Sequence, residues 1–325
     1  MRVLVTGAAG FVGARLVEIL LDGGYRVLGL DLLDGEDPPG WQEARLDAVR
    51  DHKRFDFVRG DVTDERALQR AFADFAPWAV VHLASRRDLQ LGEADPAAAM
   101  RLHVEGSIQV MRASRRADVE HLVLASSAHV YGGSRRFPFT ESDPADRPLS
   151  VLGAAMRSVE LTAHAFALRT PVNTTAVRLF SVYGPRQSPG RLVPALMAAA
   201  ERRAPLPIFG DGTAGRDMLY VDDAVVGLLR VLDRPAPWRV LNLGSGETTT
   251  VGQVAERIST LADVVQRWDQ QPVRPGEMDN TWADISAIGQ LGFLPTVELD
   301  DGLRRTWSWW RERPAAFRAA DGDSA

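Results

Sequence analysis

The stretch MRVLVTGAAGFVG, Met1–Gly13, decides the architecture. Arg2–Thr6 is an apolar run of strand length. Phe11–Asp22 carries apolar residues at helical spacing (Phe11, Val12, Leu16, Ile19, Leu20) until Gly23-Gly24 ends it. Between the two, Gly7 suits a tight turn, Gly10 the close approach of a pyrophosphate, and Gly13 helix–strand packing. Unpaired backbone N–H groups and the positive end of the helix dipole then face an anion. A glycine triplet alone is also an ordinary turn, so a second mark is needed. Asp31 supplies it, ending the next apolar run (Tyr25–Asp31) about 20 residues on, where a carboxylate accepts both ribose hydroxyls. Leu32 and Leu33 follow, with no arginine for a 2′-phosphate, which favours NAD over NADP. Asp61 follows a third run, Arg54–Arg59, and reads either as a contact to the adenine amino group or as a helix cap.

Outward from this turn, short apolar runs alternate with amphipathic stretches. Strands are expected at Ala79–Ala84, His121–Ala125 and Asn173–Leu179. Helices are expected at Arg66–Phe75 (with Asp64 as cap), Pro96–Arg115 and Val151–Leu168. This alternation predicts an α/β fold, a doubly wound parallel sheet covered on both faces. Later the pattern loosens. Helices are expected at Val193–Arg203, Asp222–Leu232 and Thr250–Ala262, with short strands at Pro207–Phe209, Arg216–Tyr220 and Val240–Leu243. The expected division is a dinucleotide-binding domain of residues 1–178 with 216–246, and a smaller, mainly C-terminal substrate lobe of 179–215 with 247–313. Residues 314–325 lose apolar periodicity and are expected to be a disordered tail.

Composition narrows the function. The chain has 325 residues, 45% hydrophobic and 25% charged, as in soluble globular proteins. A net charge of −5 gives no electrostatic footprint for nucleic acid. The absence of cysteine excludes disulfides, thiolate zinc sites and a cysteine nucleophile, and fits a reducing cytoplasm. The glycine-broken start is too short for a membrane span of about 20 apolar residues. No metal-ligand set stands out. Among 38 basic residues, Lys53 is the only lysine.

Further segments stand in order along the chain: Gly60-Asp61-Val62, Val81-His82-Leu83-Ala84, Ser126–Gly132 (SSAHVYG), Arg178–Arg186 (RLFSVYGPR), Gly210-Asp211-Gly212 with Arg216-Asp217, Asn242–Gly246 (NLGSG) and Arg274–Glu277 (RPGE). With the first turn, they resemble the extended short-chain dehydrogenase/reductase family, the NAD-dependent sugar-nucleotide epimerases and dehydratases, over Met1 to Arg313. The resemblance implies NAD as cofactor, contacted by Gly7, Gly10, Phe11, Val12, Gly13, Asp31, Asp61, Val62, Leu83 and Ala84. It also implies a nucleotide sugar as substrate, and a homodimer through helices 96–115 and 151–168. Arg216 and Arg274 stand at the family's diphosphate positions, where a guanidinium forms paired bonds to phosphate. Arg186, Arg86 and Ser181 are further candidates for the substrate. His103 replaces a family Asn and is expected to fill a polar slot beneath the cofactor turn.

The family's chemistry uses a Ser or Thr, a Tyr as acid or base, and a Lys four residues after that Tyr. Ser127 is present, but Leu152 and Met156 stand at the Tyr and Lys positions, and neither titrates. The Asp-Glu pair of the dehydratases is replaced by Ala128 and His129. His129 is therefore the leading acid–base candidate, because an imidazole titrates near neutral pH. Ser127 joins it as a hydrogen-bonding partner, and Tyr131 as a further acid–base candidate. Three readings follow: an NDP-sugar enzyme working by transient oxidation or proton transfer with substituted residues; a catalytically inactive protein that binds NAD and NDP-sugar; and a non-oxidative isomerase or lyase acting on another substrate.

Overall fold

Near-continuous apolar runs such as Val3-Leu4-Val5 demand a strand buried on both faces, which only a parallel sheet covered by helices provides. The computed structural model describes residues 1–35, 37–86 and 89–318 and has this architecture. Strands β1 (Arg2–Thr6), β2 (Arg26–Asp31), β3 (Phe55–Arg59), β4 (Ala79–His82), β5 (His121–Ser127) and β6 (Asn173–Leu179) join Trp238–Leu243 in one seven-stranded sheet. From one edge the order is Trp238–Leu243, β6, β5, β4, β1, β2, β3, with every pair parallel. The chain direction across the sheet reverses between β1 and β4. Open α/β sheets bind ligands in the crevice at such a point, beyond the carboxyl ends of the strands.

Two apolar layers cover the sheet. One packs Leu16, Val17 and Leu20 of helix Phe11–Asp22 and Val225 and Leu228 of helix Val221–Leu232 against Val3, Val5 and Val81. The other packs Leu68 and Phe72 of helix Glu65–Phe75, Val110 of helix Gly106–Arg116, and Val159 of helix Val151–Ala167 against Leu4, Val80 and Leu122. A separate core gathers helices Leu192–Glu201, Val251–Ala262 and Leu299–Glu312 through Leu196, Val254, Ile258, Leu303 and Trp310. Among the described residues, no helix is long and apolar enough to cross a membrane.

Several expectations need correction. The stretch 96–115 is not one α-helix: Pro96–Met100 and Gly106–Arg116 are joined by a π turn, Arg101–Glu105. Gly106 lies against Val62 there, where an added Cβ would sit 2.9 Å from the valine Cγ2. Arg216–Tyr220 is two strands. Gly215–Arg216 runs antiparallel to Thr249–Thr250, and Met218–Tyr220 parallel to Ser181–Tyr183. Helix Leu299–Glu312 was missed, although Leu303, Thr306 and Trp310 have helical spacing and Asp300 and Asp301 favour a first turn. The tail expected from 314 is ordered at its start. Ala315–Phe317 forms a 3-10 turn, and Phe317 is buried edge-on against Trp41 at 5.1 Å and Trp309 at 5.4 Å. Residues 319–325, also part of that expected tail, lie outside the described ones.

Two buried histidines are expected to make the fold acid-sensitive. His121 bonds the Leu232 carbonyl at 3.3 Å and the Thr175 hydroxyl at 3.2 Å, and His82 lies under β1. Burial pushes both imidazoles down from 6.5 to about 4. Between those values the unfolded chain binds more protons, so stability falls as pH drops through the window. The loss is of order 3 kcal/mol per histidine. Thermal melts from pH 7 to 4.5 check this: His121→Gln is expected to flatten the dependence, and an unchanged slope refutes the assignment.

Candidate functional site

The glycine turn is built as its sequence requires. Gly7 adopts φ +70°, and its N–H donates to Leu30 at 2.9 Å. A Cβ on Gly13 would lie 2.0 Å from the Gly7 carbonyl oxygen, so only glycine lets the helix sit this close to the turn. Gly10 caps helix Phe11–Asp22 without a side-chain bond, and the first turn carries no acidic residue that would repel an anion. Asp31 stands beside the turn. Its Oδ2 accepts the Ala9 N–H at 2.9 Å and its Oδ1 the Leu33 N–H at 3.0 Å, while burial raises its pKa. Oδ1 is also approached by the Gln42 side-chain amide at 3.5 Å, so Oδ2 keeps the further lone pair for a hydroxyl donor. Phe11 packs toward the separate core of helices Leu192–Glu201, Val251–Ala262 and Leu299–Glu312, and Val12 toward the sheet.

A chain of hydrogen bonds supports the turn from beneath. Ala84 N–H donates to Thr6 Oγ1 (3.3 Å), which meets His82 Nδ1 at 2.6 Å; His82 Nε2 meets Ser107 Oγ at 3.1 Å, and Ser107 donates to the His103 carbonyl at 2.6 Å. One arrangement of protons satisfies every link: neutral His82 carries its proton on Nε2 and accepts from Thr6 on Nδ1. The chain ties β1 to β4 and to the π turn that holds buried His103. Leu83 completes the switch point, its N–H donating to Thr6 at 3.1 Å. Asp61 does not cap a helix. It accepts the Thr63 N–H at 2.8 Å, while Asp64 caps Glu65–Phe75 through the N–H groups of Arg66 and Ala67. The Val62 side chain is buried.

At the carboxyl end of β5 the chain enters a 3-10 turn, Ala128–Tyr131. Ser127 Oγ lies 3.0 Å from His129 Nδ1 and also accepts the His129 N–H at 3.3 Å. The structure thus brings these two candidates together. Tyr131 is a correction: it is 2% exposed, stacks on Phe139 at 4.4 Å and donates its hydroxyl to Asn242 Oδ1 at 2.6 Å. Burial pushes that phenol up to about 12, so it belongs to the core rather than to proton transfer. Leu152 and Met156 share its apolar cluster with Ala128, Phe180 and Met278. Ser150 caps their helix by accepting the Gly153 N–H at 3.1 Å.

The arginines divide. The Arg216 guanidinium donates to the Met278 carbonyl at 3.0 Å and to Glu277 at 3.2 Å. Arg274 lies 4.0 Å from the same Glu277 and stacks on Phe209, its guanidinium carbon 3.6 Å from the ring centroid. One carboxylate therefore holds both predicted diphosphate ligands. Arg186 does not join them: its guanidinium grips Glu18 through two bonds of 2.5 and 2.9 Å. Arg86 is held by Asp34 at 3.1 Å, bridging the loops after β4 and β2. Ser181 donates its N–H to the Asp217 carbonyl at 3.0 Å.

Three motif positions, Asp217, Arg178 and Asn242, carry buried polar groups whose partners the sequence does not name. Asp217 accepts from the Ser245 N–H (2.6 Å) and hydroxyl (2.8 Å) and from the N–H groups of Gly246 (3.2 Å) and Ala283 (3.0 Å), and burial pushes it up to about 6. Arg178 meets Glu160 in a buried pair with bonds of 2.8 and 2.9 Å, and Ser126 donates to the same carboxylate at 2.6 Å. Asn242 locks Tyr131. Their partners lie far off in sequence, so no local pattern announces them.

A glycine turn, an acidic residue at the second strand end and two arginines gathered by Glu277 are the marks of a dinucleotide-dependent enzyme class. The chain belongs to the NAD dependent epimerase/dehydratase family, which matches residues 3–244. It is 31% identical over 311 residues to a UDP-glucuronate 4-epimerase of Thermodesulfobacterium geofontis, across 95% of this chain and 96% of that one. Among solved structures it is similar to the UDP-glucuronic acid 4-epimerase from Bacillus cereus in complex with UDP-glucuronic acid and NAD. The TM-score is 0.90 at 29% identity, over 96% of this chain and 99% of that one. The UDP-glucose 4-epimerase from Thermotoga maritima with UDP-glucose gives 0.87 at 28% identity, over 96% and 99%.

Proposed function

We propose that the protein binds NAD and a nucleoside-diphosphate sugar and moves a proton at the sugar through Ser127 and His129, during transient oxidation of that carbon. The 3.0 Å contact between Ser127 Oγ and His129 Nδ1 carries this reading. NAD fits the residues present: Gly7, Gly10 and Gly13 let the turn close tightly at the helix N-terminus, and Asp31 Oδ2 keeps a lone pair for a ribose hydroxyl. When bound, it supplies a hydride acceptor. Arg216 and Arg274, aligned by Glu277, hold the diphosphate. The sugar hydroxyl then donates to Ser127 Oγ, whose own proton passes to His129 Nδ1. Return of both protons, with the hydride delivered to the opposite face, gives the epimer.

In this reading residues 1–178 with 216–246 carry the cofactor and 179–215 with 247–313 the substrate. Exposed Leu161 (56%) and Leu168 (72%) support a homodimer through the stretches 151–168 and 96–115, which analytical ultracentrifugation checks. A cytoplasmic setting remains the expectation from composition. A second reading, a binding protein without turnover, is favoured by buried, untitratable Leu152 and Met156.

Incubation with UDP-glucuronic acid, UDP-glucose and related nucleotide sugars, read by reduced-nicotinamide absorbance and product analysis, separates the two. Ser127→Ala and His129→Ala are each expected to lower turnover about 10²–10⁴-fold with ligand affinities kept. Full activity in both variants refutes the proton route. Tight binding of both ligands by the unaltered protein with no hydride transfer establishes the second reading.

A further inference from the structure

Arg45 is a fully buried guanidinium, and all five of its N–H donors are used. Nε donates to the Arg186 carbonyl at 3.0 Å. Nη1 donates to the Ala9 carbonyl at 3.2 Å and to Asp37 at 2.5 Å; Nη2 donates to Asp37 at 2.9 Å and to the Ser188 hydroxyl at 3.3 Å. Ser188 itself donates to Asp37. One side chain therefore holds three separate pieces of chain.

The first piece is the cofactor turn. Ala9 is gripped at both ends of its peptide, its N–H by Asp31 and its carbonyl by Arg45. The second is the segment after β2, where Gln42 accepts the Gly35 N–H at 3.0 Å and points its amide toward Asp31. The third is the loop after Ser181–Tyr183, which leads into helix Leu192–Glu201 and the second core. Arg186 in that loop adopts a left-handed φ of +67°, a conformation costly for a side-chain-bearing residue, and returns a grip on Glu18 in helix Phe11–Asp22. Trp41, also fully buried, packs edge-on against Phe317, with the Arg45 guanidinium carbon 5.8 Å from its ring centroid.

We propose that Arg45 is a positioning residue that joins the cofactor turn to the 184–188 loop as one rigid piece, so that NAD affinity depends on contacts made by the second lobe. Ser188, on the far side of this joint, touches neither the turn nor Asp31 in the bonds described, yet its loss slackens the grip on Ala9. The proposal rests on NAD being the ligand of the turn.

The test compares NAD and UDP affinities by calorimetry in the unaltered protein, Arg45→Lys, Arg45→Ala and Ser188→Ala. A lysine keeps the charge but not the planar fork. Arg45→Lys is expected to weaken NAD at least tenfold. Ser188→Ala is expected to weaken it about three- to tenfold, because only part of the two bonds its hydroxyl makes with Arg45 and Asp37 is felt at the turn. UDP affinity, read without NAD, stays near that of the unaltered protein. Added methylguanidinium is expected to restore NAD affinity to Arg45→Ala. Should that variant fail to fold, Ser188→Ala carries the test alone. Unchanged NAD affinity in Ser188→Ala and Arg45→Lys, or equal losses for NAD and UDP, overturns the positioning role. Failure of the unaltered protein to bind NAD removes the cofactor reading, and this proposal with it.

Discussion

Gly13→Ala is expected to weaken NAD binding more than 100-fold, about 3 kcal/mol or more. The added Cβ would lie 2.0 Å from the Gly7 carbonyl oxygen and 2.9 Å from its carbon, both backbone atoms. Neither can swing aside as a flexible side chain would. The Gly7 peptide must turn or helix Phe11–Asp22 must back away, and either movement spoils the row of N–H groups that meets a pyrophosphate. Gly10→Ala is the informative companion. Its Cβ meets the protein at 3.1 Å from the same oxygen, a contact the turn can relieve by a small shift. That variant is expected to melt near the unaltered protein and still bind NAD poorly, because the second glycine of such a turn is where backbone and pyrophosphate approach most closely. Equilibrium dialysis with NAD, together with thermal melts, checks both. Tight NAD binding by Gly13→Ala would show that the ligand does not sit on this turn.

The same turn shows why some of the site was legible and some was not. Gly7, Gly10, Gly13 and Asp31 form a local code: their roles follow from backbone conformation and from the length of one strand–helix–strand unit. Strands β1 to β6 follow from their apolar runs, because a strand buried on both faces shows no polar alternation. Arg45 carries no such signal. It stands in an amphipathic stretch and reads as a solvated arginine, until the fold brings Arg186 and Ser188 to it across more than a hundred residues. Glu160 and Arg178 likewise give no sign in the sequence that they meet, yet they form a buried pair. Such a pair is stabilised by the geometry of both elements together, and sequence periodicity describes one element at a time. Tyr131 was misread for the opposite reason: its motif is local, but its hydroxyl partner Asn242 is not.

The double variant Leu152→Tyr with Met156→Lys is expected to raise hydride transfer by about 10²–10⁴-fold, the usual contribution of a placed acid–base group. The resemblance names these two positions, and the helix presents both to the same cluster. Val151–Ala167 is capped by Ser150 in front of them, and residues 152 and 156 lie one turn apart, each 3% exposed, beside the turn that carries Ser127 and His129. A phenol at 152 would sit next to Ser127 rather than at the surface. A lysine at 156 would lose part of its hydration, which favours its neutral form, while its charge would pull the neighbouring phenol down. The cost falls on packing. The new side chains crowd Phe180 and Met278, and a loss of roughly 1–3 kcal/mol in stability is expected from overfilling. The dependence on His129 is the sharper readout. If Ser127 passes its proton to His129 in the unaltered protein, a tyrosine at 152 offers a shorter route, and His129→Ala should cost far less in the double variant than alone. An unchanged rate in a folded double variant that still binds NAD would mean that proton transfer at this position does not limit the reaction. The cause of any low turnover would then lie in how the sugar is held against the cofactor.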